Sequence, residues 1–198
     1  MNDDRPGGDR PGDRTQPEQG SSATARERFE QTQEVHLDLR EPVTREEVGV
    51  APGEPGFILE RAGGDRFLDV ELTLPGGQVL DVPAIGVVFA NDAGDPREAP
   101  VQNIIVNSVT EDVPSARAAV TAAVPVLGLD ARAVDSFFDR LREGKGEDSG
   151  RVFLGPPLGY LRPSVEIFYR GSERRVAINY ELSWDAPAPS ATTSAAPA

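Results

Sequence analysis

Apolar and polar residues alternate through two runs near the end of this 198-residue chain, and that period of two decides what the region can become. Val165, Ile167 and Tyr169 mark the first run; Val176, Ile178, Tyr180, Leu182 and Trp184 mark the second. Gly171-Ser172-Glu173 lies between them. Side chains two apart share one face of a strand. Residues 164–170 and 174–184 therefore predict a β-hairpin with one apolar face.

The same reasoning places strands earlier in the chain. In residues 33–40, Val35, Leu37 and Leu39 alternate with His36, Asp38 and Arg40. Thr44-Arg45-Glu46-Glu47 is a capping-box sequence for a short helical turn. Residues 57–61, 66–74 and 78–91 predict a meander, turned at Gly63-Gly64-Asp65 and at Pro75-Gly76-Gly77. Leu68, Val70, Leu72 and Leu74 are its inward residues. Residues 84–89 are apolar on both faces, which predicts a central strand covered by helices, with Pro83 marking a break or bulge at its start. Residues 101–109 and 151–154 add two more strands.

Two helices lie between these strands. Asp112 is the expected N-cap of residues 113–124, with Pro114 in the first turn and Pro125 and Gly128 as terminators. Asp130 caps residues 131–143, and Gly144 stops them. In that second helix Val134, Phe137, Phe138 and Leu141 fall at i, i+3, i+4 and i+7, one core stripe. The order of elements predicts an α+β domain: a mainly antiparallel sheet, two consecutive helices packed on one face, and a C-terminal β-hairpin.

Aromatic residues bound the domain. All eight Phe, three Tyr and the one Trp lie between Phe29 and Trp184. Segments without large apolar groups cannot bury enough surface to offset the entropy of ordering them. Residues 1–27 and the Ala/Pro/Ser/Thr segment 186–198 are thus expected to be disordered tails around a single domain at 28–185.

Chemically the chain is sparse. It has no Cys, one His and one Lys. Absent thiols exclude disulfides, thiolate metal sites and Cys nucleophiles, and no cofactor or metal is expected. Residues 1–24 hold five acids against three arginines and residues 186–198 hold no charge, which leaves −11 of the −13 on the body. That surface repels phosphate backbones, so no nucleic-acid partner is expected. No run approaches the about 18 apolar residues of a membrane span, so no membrane insertion is expected either. The first residues lack the basic and apolar regions of a signal peptide. The expected location is cytoplasmic by default, or a cell envelope if an upstream leader is missing.

Each candidate site competes with a plainer reading. His36 has no Gly-x-Ser-x-Gly elbow to serve and is one imidazole where metal sites use several, so a structural role is expected. Asn91-Asp92-Ala93-Gly94-Asp95 offers oxygen ligands but fails the EF-hand spacing and fits turn chemistry. Gly144-Lys145-Gly146 lacks the earlier Gly of a phosphate loop, where Asp139 stands, and the following Ser or Thr. Asp135 and Asp139 share a helix face with Arg132 and Arg142, which predicts a solvated, salt-bridged surface. Arg170, Arg174 and Arg175 crowd the hairpin tip and suit an anionic group on a partner. Residues 154–163 are apolar but proline-broken; if Leu158, Tyr160 and Leu161 are exposed, they form a rigid recognition patch, and otherwise they cover the end of the core.

The expected function is a non-catalytic binding or protein-interaction domain, of a bacterial cell envelope, contacting an unidentified protein partner through Leu158, Tyr160, Leu161, Arg170, Arg174 and Arg175. The alternatives are a cytoplasmic adaptor or immunity-type protein with an acidic surface, and a metal-independent hydrolase or lyase built from carboxylates and Arg.

Overall fold

Thr24 and Glu27 form a capping box. The Thr24 hydroxyl accepts from the Glu27 N–H, and the Glu27 carboxylate accepts from the Thr24 N–H. This box starts helix α1 (Ala25–Thr32), which begins three residues before the expected domain boundary at residue 28. The structure, a computed structural model, describes residues 24–63, 66–91, 100–143, 148–173 and 175–185. Residues 1–23 and 186–198 of the expected tails, Asp92–Asp95 of the Asn/Asp loop, Gly144-Lys145-Gly146 and Arg174 lie outside the described residues.

After α1 come the strands β1 (Glu34–Asp38), β2 (Gly56–Glu60), β3 (Leu68–Thr73), β4 (Val79–Ala84), β5 (Gly86–Ala90) and β6 (Asn103–Thr110). Helices α2 (Val113–Leu127) and α3 (Ala131–Glu143) follow, then β7 (Ser149–Leu154), β8 (Arg162–Arg170) and β9 (Arg175–Ser183). The fold is α+β, dominated by antiparallel pairing, with the two consecutive helices and the β8–β9 hairpin in the expected places.

There are two sheets rather than one. The smaller has the order β1-β3-β4 and contains the parallel pair β1–β3; the larger has the order β2-β5-β6-β9-β8-β7 and is wholly antiparallel. The chain changes sheets at Ile85. Its N–H donates to Asn107 O and its carbonyl accepts from Arg61 N–H. The break therefore falls two residues after Pro83, which sits inside β4. Leu74 N–H donates to Gln78 O, so even-numbered residues of β3 and β4 bond each other and the nitrogen of Pro83 faces away from β3. No ladder bond is lost there.

That switch also explains the apolar run at 84–89. Val87 and Phe89 are fully buried, whereas Val88 and Ala90 are partly exposed. Among the described residues the strand is covered on one face only, not on both. Ala84 belongs to the core of one sheet and Val87 to that of the other, which breaks the alternation without a second cover.

One face of the larger sheet receives the helices and the smaller sheet. Phe29 of α1 stacks on Phe89, with ring centroids 6.2 Å apart, and Phe57 stacks on Phe89 at 6.1 Å. Ser108 Oγ, on the same face, donates to Pro83 O of the smaller sheet at 2.8 Å. Phe137 of α3 meets Phe153 of β7 edge-on at 5.7 Å. The predicted stripe Val134, Phe137, Phe138 and Leu141 is buried. Each such side chain contributes roughly 1.5–3 kcal/mol by leaving water.

Helix α2 runs past its expected end. Pro125 lies inside it, and the helix closes at Gly128, which adopts a left-handed conformation (φ 66°) and donates its N–H to Val124 O. Proline removes one internal bond, but continuing the helix buries Leu127 completely. Among the described residues, no helix is long and apolar enough to cross a membrane.

Candidate binding surfaces

The apolar loop at 155–161 owes its order to short-range bonds. Leu158 and Leu161 exchange backbone hydrogen bonds of 2.9 and 3.0 Å. Leu161 has no exposed surface, while Leu158 and Tyr160 are partly buried against the core. The Tyr160 hydroxyl donates to Leu39 O at 2.9 Å, and its ring meets Trp184 edge-on at 5.9 Å. Burial above all, then the charges of Asp38 and Glu41, pushes the Tyr160 phenol up to about 12. The loop covers one end of the core, and Leu161 has no surface left to offer a partner.

At the hairpin tip, Arg170 and Arg175 face each other across β8 and β9 and are exposed. Arg170 Nη1 lies 3.4 Å from Glu173 Oε1, so one of the two guanidinium groups already has a carboxylate. The loop joins β8 at Arg162 and the tip leaves it at Arg170. Eight residue steps of strand put them roughly 27 Å apart. The two halves of the predicted contact surface do not form one patch.

His36 lies on the exposed side of β1, with Nδ1 3.8 Å from Glu71 Oε1. It lines an open groove of about 1270 Å³ between α1, β1 and residues 43–52. Its neighbour Asp38 is gripped by Arg40, and the hydrogen bonds from Arg40 hold the carboxyl down at about 2. The hydroxyls of Thr24 and Thr44 at the rim are engaged by Glu27 and Glu47 as helix-start bonds. Across the domain the shifted carboxylates Asp38, Glu47 and Asp112 all move down, through hydrogen bonds from Arg40, Thr44 and Ser115 respectively. Lowered carboxyls are poor proton donors at neutral pH. Asp135 and Asp139 do form a salt-bridged face, with Arg117 of α2 at 2.6 and 2.8 Å. Among the described residues, no three His, Asp or Glu side chains converge as a metal site requires.

The feature that the alternation pattern concealed is the second face of the larger sheet, which no described element covers. Register places Ile58, Val88, Ile105, Glu181, Ser164 and Leu154 in one row across all six strands. The row begins apolar; Ile58 is 61% exposed. Its middle is a polar cluster in which Asn103 Nδ2 donates to Glu181 at 2.9 Å and Ser164 Oγ donates to it at 3.3 Å. Beside it, Asn107, Asn179, Glu166 and Val152 form a second row. Phe168, also exposed, stands in the row beyond. The signal for this face was present in residues 103–109 and 175–183, where Asn103, Asn107, Asn179 and Glu181 sit opposite the core positions. Comparison with protein-family models, with curated proteins and with solved structures finds no match.

Proposed function

We propose that this domain is a non-catalytic protein-interaction module that receives its partner on the uncovered face of the six-stranded sheet. The observation that carries the reading is the contiguous apolar block Ile58–Val88–Ile105 beside the carboxylates Glu166 and Glu181. A face of that kind suits a protein surface with an apolar centre and cationic side chains around it. The net charge of −13 favours such a basic partner at a distance and predicts that binding weakens as salt rises. The bacterial cell envelope is proposed as its setting on the Ala/Pro/Ser/Thr composition of residues 186–198.

Immobilised full-length protein tests the reading against extracts of the source cells. A specific partner should be retained by the wild type and by His36→Ala, and lost on Ile58→Asp, since Ile58 is mostly exposed and its replacement leaves the core intact. Equal retention by Ile58→Asp overturns the proposal. So does turnover of a substrate that stops when one carboxylate is neutralised without unfolding.

A further inference from the structure

Among the described residues, strand β7 ends the larger sheet and pairs on one side only, with β8. Gly155 N–H donates to Pro163 O, in line with the β7–β8 register. The odd-numbered residues of β7 therefore direct their backbone groups to β8, and Gly150, Val152 and Leu154 direct theirs to the open edge. These three also lie on the uncovered face, where Val152 is 49% and Leu154 75% exposed. Natural sheet edges are usually blunted by Lys, Pro or inward charge. Residues 149–155, Ser-Gly-Arg-Val-Phe-Leu-Gly, contain no Lys and no Pro, and no carboxylate in a chain with 33. Their one charge, Arg151, lies over the ring of Phe153 with its guanidinium carbon 5.4 Å from the centroid.

We propose that two copies of the chain pair β7 to β7, antiparallel, about a two-fold axis at Val152, joining the two six-stranded sheets into one. The strand is self-complementary in that register. Val152 of one copy faces Val152 of the other, and Gly150 faces Leu154. The ring of Phe168, the β8 neighbour of Gly150, already leans over that glycine, 3.3 Å from where a Cβ would stand, so Leu154 of the other copy meets an apolar ring there. Arg151 faces Phe153 of the other copy rather than a second arginine. Centring the axis on Arg151 would oppose two guanidinium groups, and only the Val152 register pairs all three outward residues with one another. The edge strand itself brings no carboxylate to the axis. Because the remaining charge still opposes approach, salt strengthens this association, whereas it weakens binding of a basic partner to the face.

The inference does not rest on the proposed function, and Ile58→Asp should leave it untouched. Sedimentation of the full chain should show a mass rising with concentration from 21.2 kDa toward twice that value. Val152→Glu and Val152→Lys each set like charges across the axis and should weaken self-association by about tenfold or more. An equimolar mixture of the two variants should recover it. Circular-dichroism melting of both variants establishes that they fold, as a half-exposed edge position allows. A wild type that stays at 21.2 kDa at every concentration overturns the proposal. A Val152→Glu protein that dimerises as the wild type does also overturns it, and a mixture that recovers nothing overturns the two-fold register.

Discussion

Tyr160 and Leu39 lie 121 positions apart in the chain and are joined by one hydrogen bond, from the phenol of the first to the carbonyl of the second. The bond ties the loop between β7 and β8 to the end of β1, and so ties the larger sheet to the smaller one. A core-end loop anchored through a partly buried phenol invites direct tests.

Tyr160→Phe should lower unfolding free energy by about 1 kcal/mol in urea titration, the net value of one neutral hydrogen bond. The pH dependence has a defined sign. The folded phenol titrates near 12 instead of 10.0, so the folded state holds its proton more tightly than the unfolded state. The resulting stability is complete below pH 10 and is lost as pH rises toward 12. That alkaline loss should be smaller in the Tyr160→Phe protein.

Gly155→Ala should destabilise by roughly 1–3 kcal/mol, the usual effect of overpacking. A Cβ there would stand 2.2 Å from Leu127 O and 2.8 Å from Pro163 Cγ. Neither the C-terminal end of α2 nor the start of β8 can retreat without losing its own packing. Thermal melts of the two proteins provide the comparison.

Phe137→Ala should destabilise by roughly 3–5 kcal/mol, because the ring is buried between Phe138 and Phe153 and leaves a cavity. The same variant should unfold α3 preferentially, read as lost amide protection in residues 134–141 by hydrogen exchange.

Acid should destabilise through Asp38 and Asp112. Asp38 falls from 3.8 to about 2 on hydrogen bonding to Arg40, and Asp112 is lowered by capping the Ser115 N–H. For a lowered carboxyl the stability is complete above the ordinary value and disappears as pH falls through the folded one. Asp38→Asn should flatten the stability profile between about pH 4 and pH 2, measured by denaturant melts across that range.

Much of this fold is legible in the sequence because periodicity reports local geometry. The β8–β9 hairpin and the stripe of α3 follow from spacing alone. Helix α1 was hidden because it buries a single residue, Phe29, and so shows no apolar stripe, although Thr24 and Glu27 spell its capping box. The sheet switch was hidden because period two runs on through Pro83 and yields at Ile85, a residue with no turn signal. Burial at Leu161 and exposure at Ile58 could not be told apart by residue type. Both are apolar at strand or loop positions, and only the partners across the sheet decide which one meets water.

Strand β9 runs through the middle of the larger sheet, bonded to β6 on one flank and β8 on the other. Tension applied to the chain beyond residue 185 would therefore load two ladders in shear along their whole length. Many bonds would have to break together, whereas the same pull along a peripheral strand would load a single ladder. The chain leaves the domain from a strand held on both flanks, so a load there is shared by two ladders.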